Sequence, residues 1–324
     1  MGSSQSKVHQ NSNLQIELLK VFIHFFIEPP VPTGPTALLS TPWRSHIIWT
    51  PENKQQLLKD LNSFNVKGGI PYLNCFLLGQ AASGKTSFFN TSATALKDEG
   101  RIKASLTVFK SSGKSVTTKF ETHPLYTKQD KALKLRIFDC RGLHDIQGVD
   151  AEDIRLAVDG HIKHGYTFNS ESSISPSDTH YREKPELKDM MHCVVYVVNA
   201  ENPGAALAGD TAENVCKEIR VKLGKHHVPQ VVLMNKVDRL RASLADDISD
   251  LFRSVEVKKK LDVVANFMNL PEMNVLPMSN YHDEIVPNTK KDILALTNLK
   301  TIMDYCNDFV HNACAKDAPS DFYD

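Results

Sequence analysis

The chain reads as an α/β protein, a mostly parallel sheet with helices on both faces. Three observations carry that reading. From Thr41 to about Lys316, short apolar runs alternate with helix-length stretches, the pattern of strands joined by crossover helices. The segment LLGQAASGKTSFFN (77–90) holds the pattern G-x-x-x-x-G-K-[ST] from Gly79 to Thr86, at a point where an apolar strand gives way to helix formers. Two more motifs, D-x-x-G at Asp139 and N-K-x-D at Asn235, follow apolar runs in turn. Strand ends are where side chains converge on a ligand in open α/β sheets. Together these features define a P-loop NTPase arrangement of the GTPase type.

Strands are expected near 71–78, 104–109, 115–121, 133–139, 192–199, 229–235 and 273–278. Helices are expected near 51–63, 85–97, 151–164, 210–223, 247–268 and 290–313. The Ser- and Pro-containing stretch 166–188 has no periodicity and reads as a surface loop within a 143–190 region of helix plus irregular insertion. The main domain is thus expected over 41–316, preceded by an arm over 1–40 and followed by a disordered tail over 317–324.

The chemistry follows from the loops. Backbone N–H groups of Gln80, Ala81, Ala82, Ser83, Gly84 and Lys85 can point at phosphate oxygens, with the following helix N-terminus adding positive potential near Thr86 and Ser87. Lys85 would reach the β and γ phosphates, and the Thr86 hydroxyl would ligate Mg²⁺. Asp139 would hold the same ion through a water, and the Gly142 N–H would meet the γ-phosphate. A second D-x-x-G match, Asp145 to Gly148, lies away from the strand end. In VVLMNKVDRL, the Asp238 carboxylate would accept from guanine N1–H and its 2-amino group, a pair of donors adenine lacks. Lys236 would cover the base, and Asn235 would tie this loop to the phosphate loop. The backbone of Ser279 and Asn280, after a short strand ending at Met278, would meet the guanine O6.

Catalysis is less legible than binding. Fast hydrolysis needs a polar residue to position water, often just after the D-x-x-G glycine. That position holds Leu143, leaving His144 and Arg141 as weak candidates. Thr117 is the expected switch threonine completing the Mg²⁺ shell, over Thr118 and Thr107.

Composition excludes several classes. Lysine plus arginine equals aspartate plus glutamate at 38 each, so no overall field draws nucleic acid. Residues are 41% hydrophobic and 23% charged, ordinary for a globular chain. Lys258-Lys259-Lys260 reads as a solvated face. Six cysteines form no C-x-x-C pair, which points to a reducing, cytoplasmic setting. His161 and His164 have no further ligands nearby, so no zinc site is expected.

The N-terminus matches the myristoylation pattern at Gly2, Ser6 and Lys7. One acyl chain anchors only marginally, so the apolar segment 14–27 would have to assist it. That segment is too short and too charged to span a bilayer, which takes about 20 apolar residues. Weak membrane contact through residues 1–28 stands against an accidental match.

With these residues assembled, the chain resembles the interferon-induced protein 44-like family of GTPase-related proteins. The resemblance covers roughly Pro42 to Asn312. It rests on TPWRSHIIWTPENKQQLLKDL (41–61), GVDAEDIRLAVDGHIKHGYTFN (148–169) and Asn280-Tyr281-His282 with Asp283-Glu284. It implies a P-loop GTPase fold and a cytoplasmic, interferon-inducible role in immune or antiviral response. Members of the family often carry an additional N-terminal domain, and functions assigned to that domain are not carried over to the residues matched here. Three readings stay open: a GTPase that turns over on self-association, a nucleotide-gated scaffold with vestigial hydrolysis, and a membrane-docked adaptor. Protein partners are not legible.

Overall fold

The computed structural model describes residues 38–44, 47–80, 82–103, 119–139, 151–169, 172–203, 220–221, 223–224 and 227–316. The arm before Leu38, the tail, the expected strand at 104–109, nearly all of the expected helix at 210–223 and residues 140–150 lie outside them.

Helix α1 (Pro51–Asn62) begins where the Thr50 hydroxyl accepts from the Asn53 N–H, with Pro51 preset for the first turn. Strand β1 (Leu73–Gly79) is buried along its whole length. It runs into helix α2 (Lys85–Lys97). Strand β2 (Glu121–Tyr126) pairs antiparallel with β3 (Ala132–Asp139). Of the strand expected near 115–121, residues 115–118 lie outside the described residues, and β2 is a strand the sequence reading did not place. Pro124 masks it in the sequence, because proline cannot donate to a ladder, and the register slips between Pro124 and Tyr126.

Helix α3 (Ala151–Val158) stops well short of residue 164. Gly160, at φ +84, turns the chain there, and a Cβ at that glycine would sit 2.9 Å from the Asp189 backbone. Strands β4 (Cys193–Asn199) and β5 (Gln230–Asn235) follow. Helix α4 (Ala242–Asp246) and a 3₁₀ turn, Ile248–Arg253, precede helix α5 (Val255–Met268). The single helix expected over 247–268 is therefore broken. Buried Ser254 caps α5 by accepting from the Val257 N–H, which fixes the break. Strand β6 (Val275–Met278) and helix α6 (Thr289–Lys316) complete the described elements.

The six strands lie in the order β2-β3-β1-β4-β5-β6, all parallel except β2. Successive residues of β1 point to opposite faces. On one face α6 brings Cys306 against Cys75 and Cys193, and α6 also packs on α1 and α2. Burial raises the Cys75 and Cys306 thiols well above their ordinary range, so both are protonated apolar filler. On the other face Phe120 packs edge-on to Phe76 and meets Phe138 and Phe168.

The stretch 166–188 is irregular yet anchored, with Tyr166, Phe168 and Ile174 buried. Buried Asp153 of α3 accepts from the Tyr166 hydroxyl at 3.1 Å and the Ile174 N–H at 2.8 Å. Buried His192 accepts the Asn74 N–H at Nδ1, and its Nε2 meets Leu187 O at 2.9 Å. Burial holds that imidazole down at about 4, neutral at physiological pH.

A buried ionic network ties three helices together. Lys54 of α1 meets Asp98 at 2.6 Å and Asp292 of α6 at 2.8 Å. The Tyr281 hydroxyl donates to Asp292 at 2.9 Å and accepts from the Asn288 N–H. Burial pulls Lys54 down, yet the two carboxylates outweigh it and hold the ammonium above its ordinary value. Burial pushes Asp292 up against the pull of Lys54.

Candidate functional site

The carboxyl ends of the parallel strands bring the motifs to one edge. Leu77 lies beside Asp139, Gly79 beside Val197, Asn199 beside Asn235, and Asn235 beside Met278. This is the edge where open α/β sheets take their ligands.

The phosphate loop is shaped by two glycines. A Cβ on Gly79 would come within 2.5 Å of Val197 O, so only glycine lets β1 turn beside β4. Gly84, at φ +103, opens α2 in the left-handed region, and its Cβ would meet Asn235 Nδ2 at 2.5 Å. Gly84→Ala is therefore expected to cost about 1–2 kcal/mol for the backbone alone, and more as Asn235 is displaced. A urea midpoint equal to that of the parent chain would contradict this. Ala82 also holds positive φ, at 61°, and is exposed. Lys85 folds over the loop, its ammonium 2.9 Å from Gly79 O and 3.1 Å from Gln80 O. Thr86 and Ser87 follow in the first turn of α2, both half-buried.

Asn235 joins three loops. Its Nδ2 donates to Ser83 O at 3.1 Å, and its Oδ1 accepts from Asn280 Nδ2 at 3.1 Å. Its neighbour Lys236 takes positive φ, 64°, and caps the 3₁₀ turn Val237–Leu240. That turn buries Asp238 to 9% exposure, and the carboxylate has no hydrogen bond or ion pair among the described residues. The Oγ atoms of Ser83 and Ser279 and the Oδ1 of Asn280 are buried without a hydrogen-bond partner among those residues too. Asp139 is buried at the end of β3, 7% exposed.

Sequence reasoning missed the support behind Asn280. The Tyr281 N–H donates to Thr91 Oγ1 of α2 at 3.1 Å, and the Tyr281 hydroxyl enters the Lys54–Asp292 network. Thr91 reads as an ordinary helix residue, so no local signal marks it. Ala81, Gly142, Arg141, Leu143, His144, Thr117, Thr118, Thr107 and Gly2 lie outside the described residues. No helix among the described residues is long and apolar enough to cross a membrane.

A six-stranded sheet in this order, a phosphate loop after β1 and an N-K-x-D turn after β5 make this a P-loop GTPase fold. No protein-family model matches the chain. In sequence the chain is similar to interferon-induced protein 44-like of Homo sapiens, 26% identical over 82% of this chain and 59% of that protein. It is likewise similar to interferon-induced protein 44 of Mus musculus, 28% identical over 79% of this chain and 60% of that protein. The chain thus spans about three fifths of the length of these curated relatives. Among solved structures, a dimerization-deficient mutant of Toc33 from Arabidopsis thaliana aligns over 82% of this chain and 94% of its own, at 12% identity and a TM-score of 0.42. A probable GTP-binding protein engB aligns over 72% of this chain and 98% of its own, at 14% identity and a TM-score of 0.40. Scores this low add nothing to the strand order and loops.

Proposed function

We propose that the chain is a guanine-nucleotide-binding protein of the interferon-induced 44-like type, taking GTP or GDP with Mg²⁺ and hydrolysing GTP slowly or only on assembly. The observation that carries it is Asp238, a carboxylate nine-tenths buried with no partner among the described residues, on a turn clasped to the phosphate loop by Asn235. Burying an unpaired carboxylate is costly, and a ligand offering two adjacent N–H donors removes that cost. Guanine has them and adenine does not.

The residues present suit such a ligand. Gly79 and Gly84 keep the loop backbone bare where any Cβ would intrude. The Lys85 ammonium, held by loop carbonyls, is poised to exchange them for phosphate oxygens. Thr86 and Asp139 are the oxygen donors for the metal, which when bound would neutralise phosphate charge. Thr117, Gly142, Ser279 and Asn280 would complete the pocket. Cytoplasmic residence and a part in immune or antiviral response are proposed from the similarity to the interferon-induced proteins.

Calorimetric titration with GTP, GDP and ATP, with and without Mg²⁺, tests this. Both guanosine phosphates are expected to bind, and ATP to bind about 10- to 100-fold more weakly, from one or two lost hydrogen bonds. Folded protein without affinity for either guanosine phosphate would end the proposal. A second reading, a nucleotide-gated scaffold with vestigial hydrolysis, draws on Leu143, whose side chain has no polar atom to hold a water. GTP hydrolysis equal to that of Lys85→Ala at every protein concentration would favour the scaffold over the enzyme.

A further inference from the structure

Away from the phosphate loop, the sheet face built by β1, β3 and β2 holds a cavity of about 450 Å³. That size lies within the range of small-molecule pockets, roughly 300–1,000 Å³. Its position follows from strand register. Asn74 of β1 lies beside Arg136 of β3, which lies beside Pro124 of β2. Further along the same face, Phe76 and Phe138 are sealed under Phe120. Over Arg136 the cover is incomplete. Asn74 Nδ2 ties down Lys188 O and Met190 O at 2.9 and 2.8 Å, so the 3₁₀ turn Leu187–Asp189 forms one wall and β2 the other.

The charges of this cavity are unevenly answered. Arg182 lies 3.3 Å from Asp189 and donates to Gly160 O. Lys188 pairs with Glu186, both at the exposed surface, where such a pair is weak. The Arg136 guanidinium carbon lies over the Tyr72 ring, 4.3 Å from its centroid, and the group has no carboxylate or hydrogen-bond acceptor among the described residues. A guanidinium anchored over an aromatic ring in this way still offers its N–H donors to a planar anion. Ala132, on the same face as Arg136, supplies apolar wall together with Ile162 and Pro124.

We propose that this cavity binds a small organic anion, a carboxylate, sulfonate or phosphate ester on a flat apolar body, with Arg136 as its principal anchor. The proposal stands apart from the nucleotide reading, because no residue of the phosphate or base loops lines the cavity.

The test is calorimetric titration of the full chain with naphthalene-2-sulfonate, alongside uncharged 2-naphthamide. The sulfonate is expected to bind saturably at one site with a dissociation constant of about 1 mM or lower, weaker in high salt, and the amide not to bind. Arg136→Gln should weaken the sulfonate about tenfold or more, the loss of a charged hydrogen bond. Arg136 is exposed, so that variant should keep its thermal midpoint. Should it fail to fold, Lys188→Gln at the exposed rim should still weaken binding about two- to threefold and flatten the salt dependence. Lys85→Ala should bind the probe as the parent chain does. No saturable binding, undiminished binding by folded Arg136→Gln, or loss of binding in Lys85→Ala would each overturn the assignment.

Discussion

Lys54→Met is expected to cost about 3–5 kcal/mol of folding stability, the usual penalty for removing one partner of a buried ion pair. Asp292 is 1% exposed, and the Lys54 ammonium at 2.8 Å is its one cationic partner among the described residues. Methionine fills the lysine volume but supplies no charge, so Asp292 must stay ionised and buried without its counter-charge or take up a proton. Because burial already holds the Asp292 pKa above its ordinary value, the sign is fixed. A raised carboxylate destabilises the fold above its folded pKa and ceases to do so below its unfolded value, so the variant's deficit should narrow on acidification. Urea unfolding of Lys54→Met across pH measures this. The double variant Lys54→Met/Asp292→Leu should recover most of the loss. A single-variant cost below about 1 kcal/mol would mean the network carries little.

The largest effect on binding is expected at Asp238. Asp238→Asn should weaken GTP by about 100-fold or more, since two charge-assisted hydrogen bonds of about 1.5–3 kcal/mol each are lost or replaced by a clash of donors. The same change should favour xanthosine triphosphate, whose C2 oxygen accepts from the new amide where the guanine amino group donated. Competition titrations with GTP and XTP give the ratio directly. An unchanged GTP to XTP ratio in folded protein would show that Asp238 does not read the base. Asp238 is buried without a partner among the described residues, so the neutral amide should not lower folding stability.

The parts of the molecule legible in the sequence are those whose physics is local. β1 and α2 follow from one apolar run, two glycines and a run of helix formers: α2 has the expected bounds and β1 lies within two residues of them. β4 and β5 are continuous Val-rich runs, the signature of strands buried on both faces. The errors fall where distant or single residues decide. α3 ends early because Gly160 must pass the Asp189 backbone, a contact with no trace in local periodicity. The irregular stretch after it hides its anchors, Tyr166, Phe168 and Ile174, because isolated buried residues make no period. In the site, Asn235 and Asp238 announce themselves by motif. Thr91, Tyr281 and Lys54 do not, since each acts through a partner far along the chain.

The Asn235 carboxamide has one consequence beyond joining loops. Its donor end is fixed on Ser83 O and its acceptor end on Asn280, each at 3.1 Å. A planar amide has a set span, so both contacts survive only while the two halves of the cleft keep one separation. The spacing of the phosphate loop from the Asn280 loop is thereby set through one side chain, and a substitution there would release both at once.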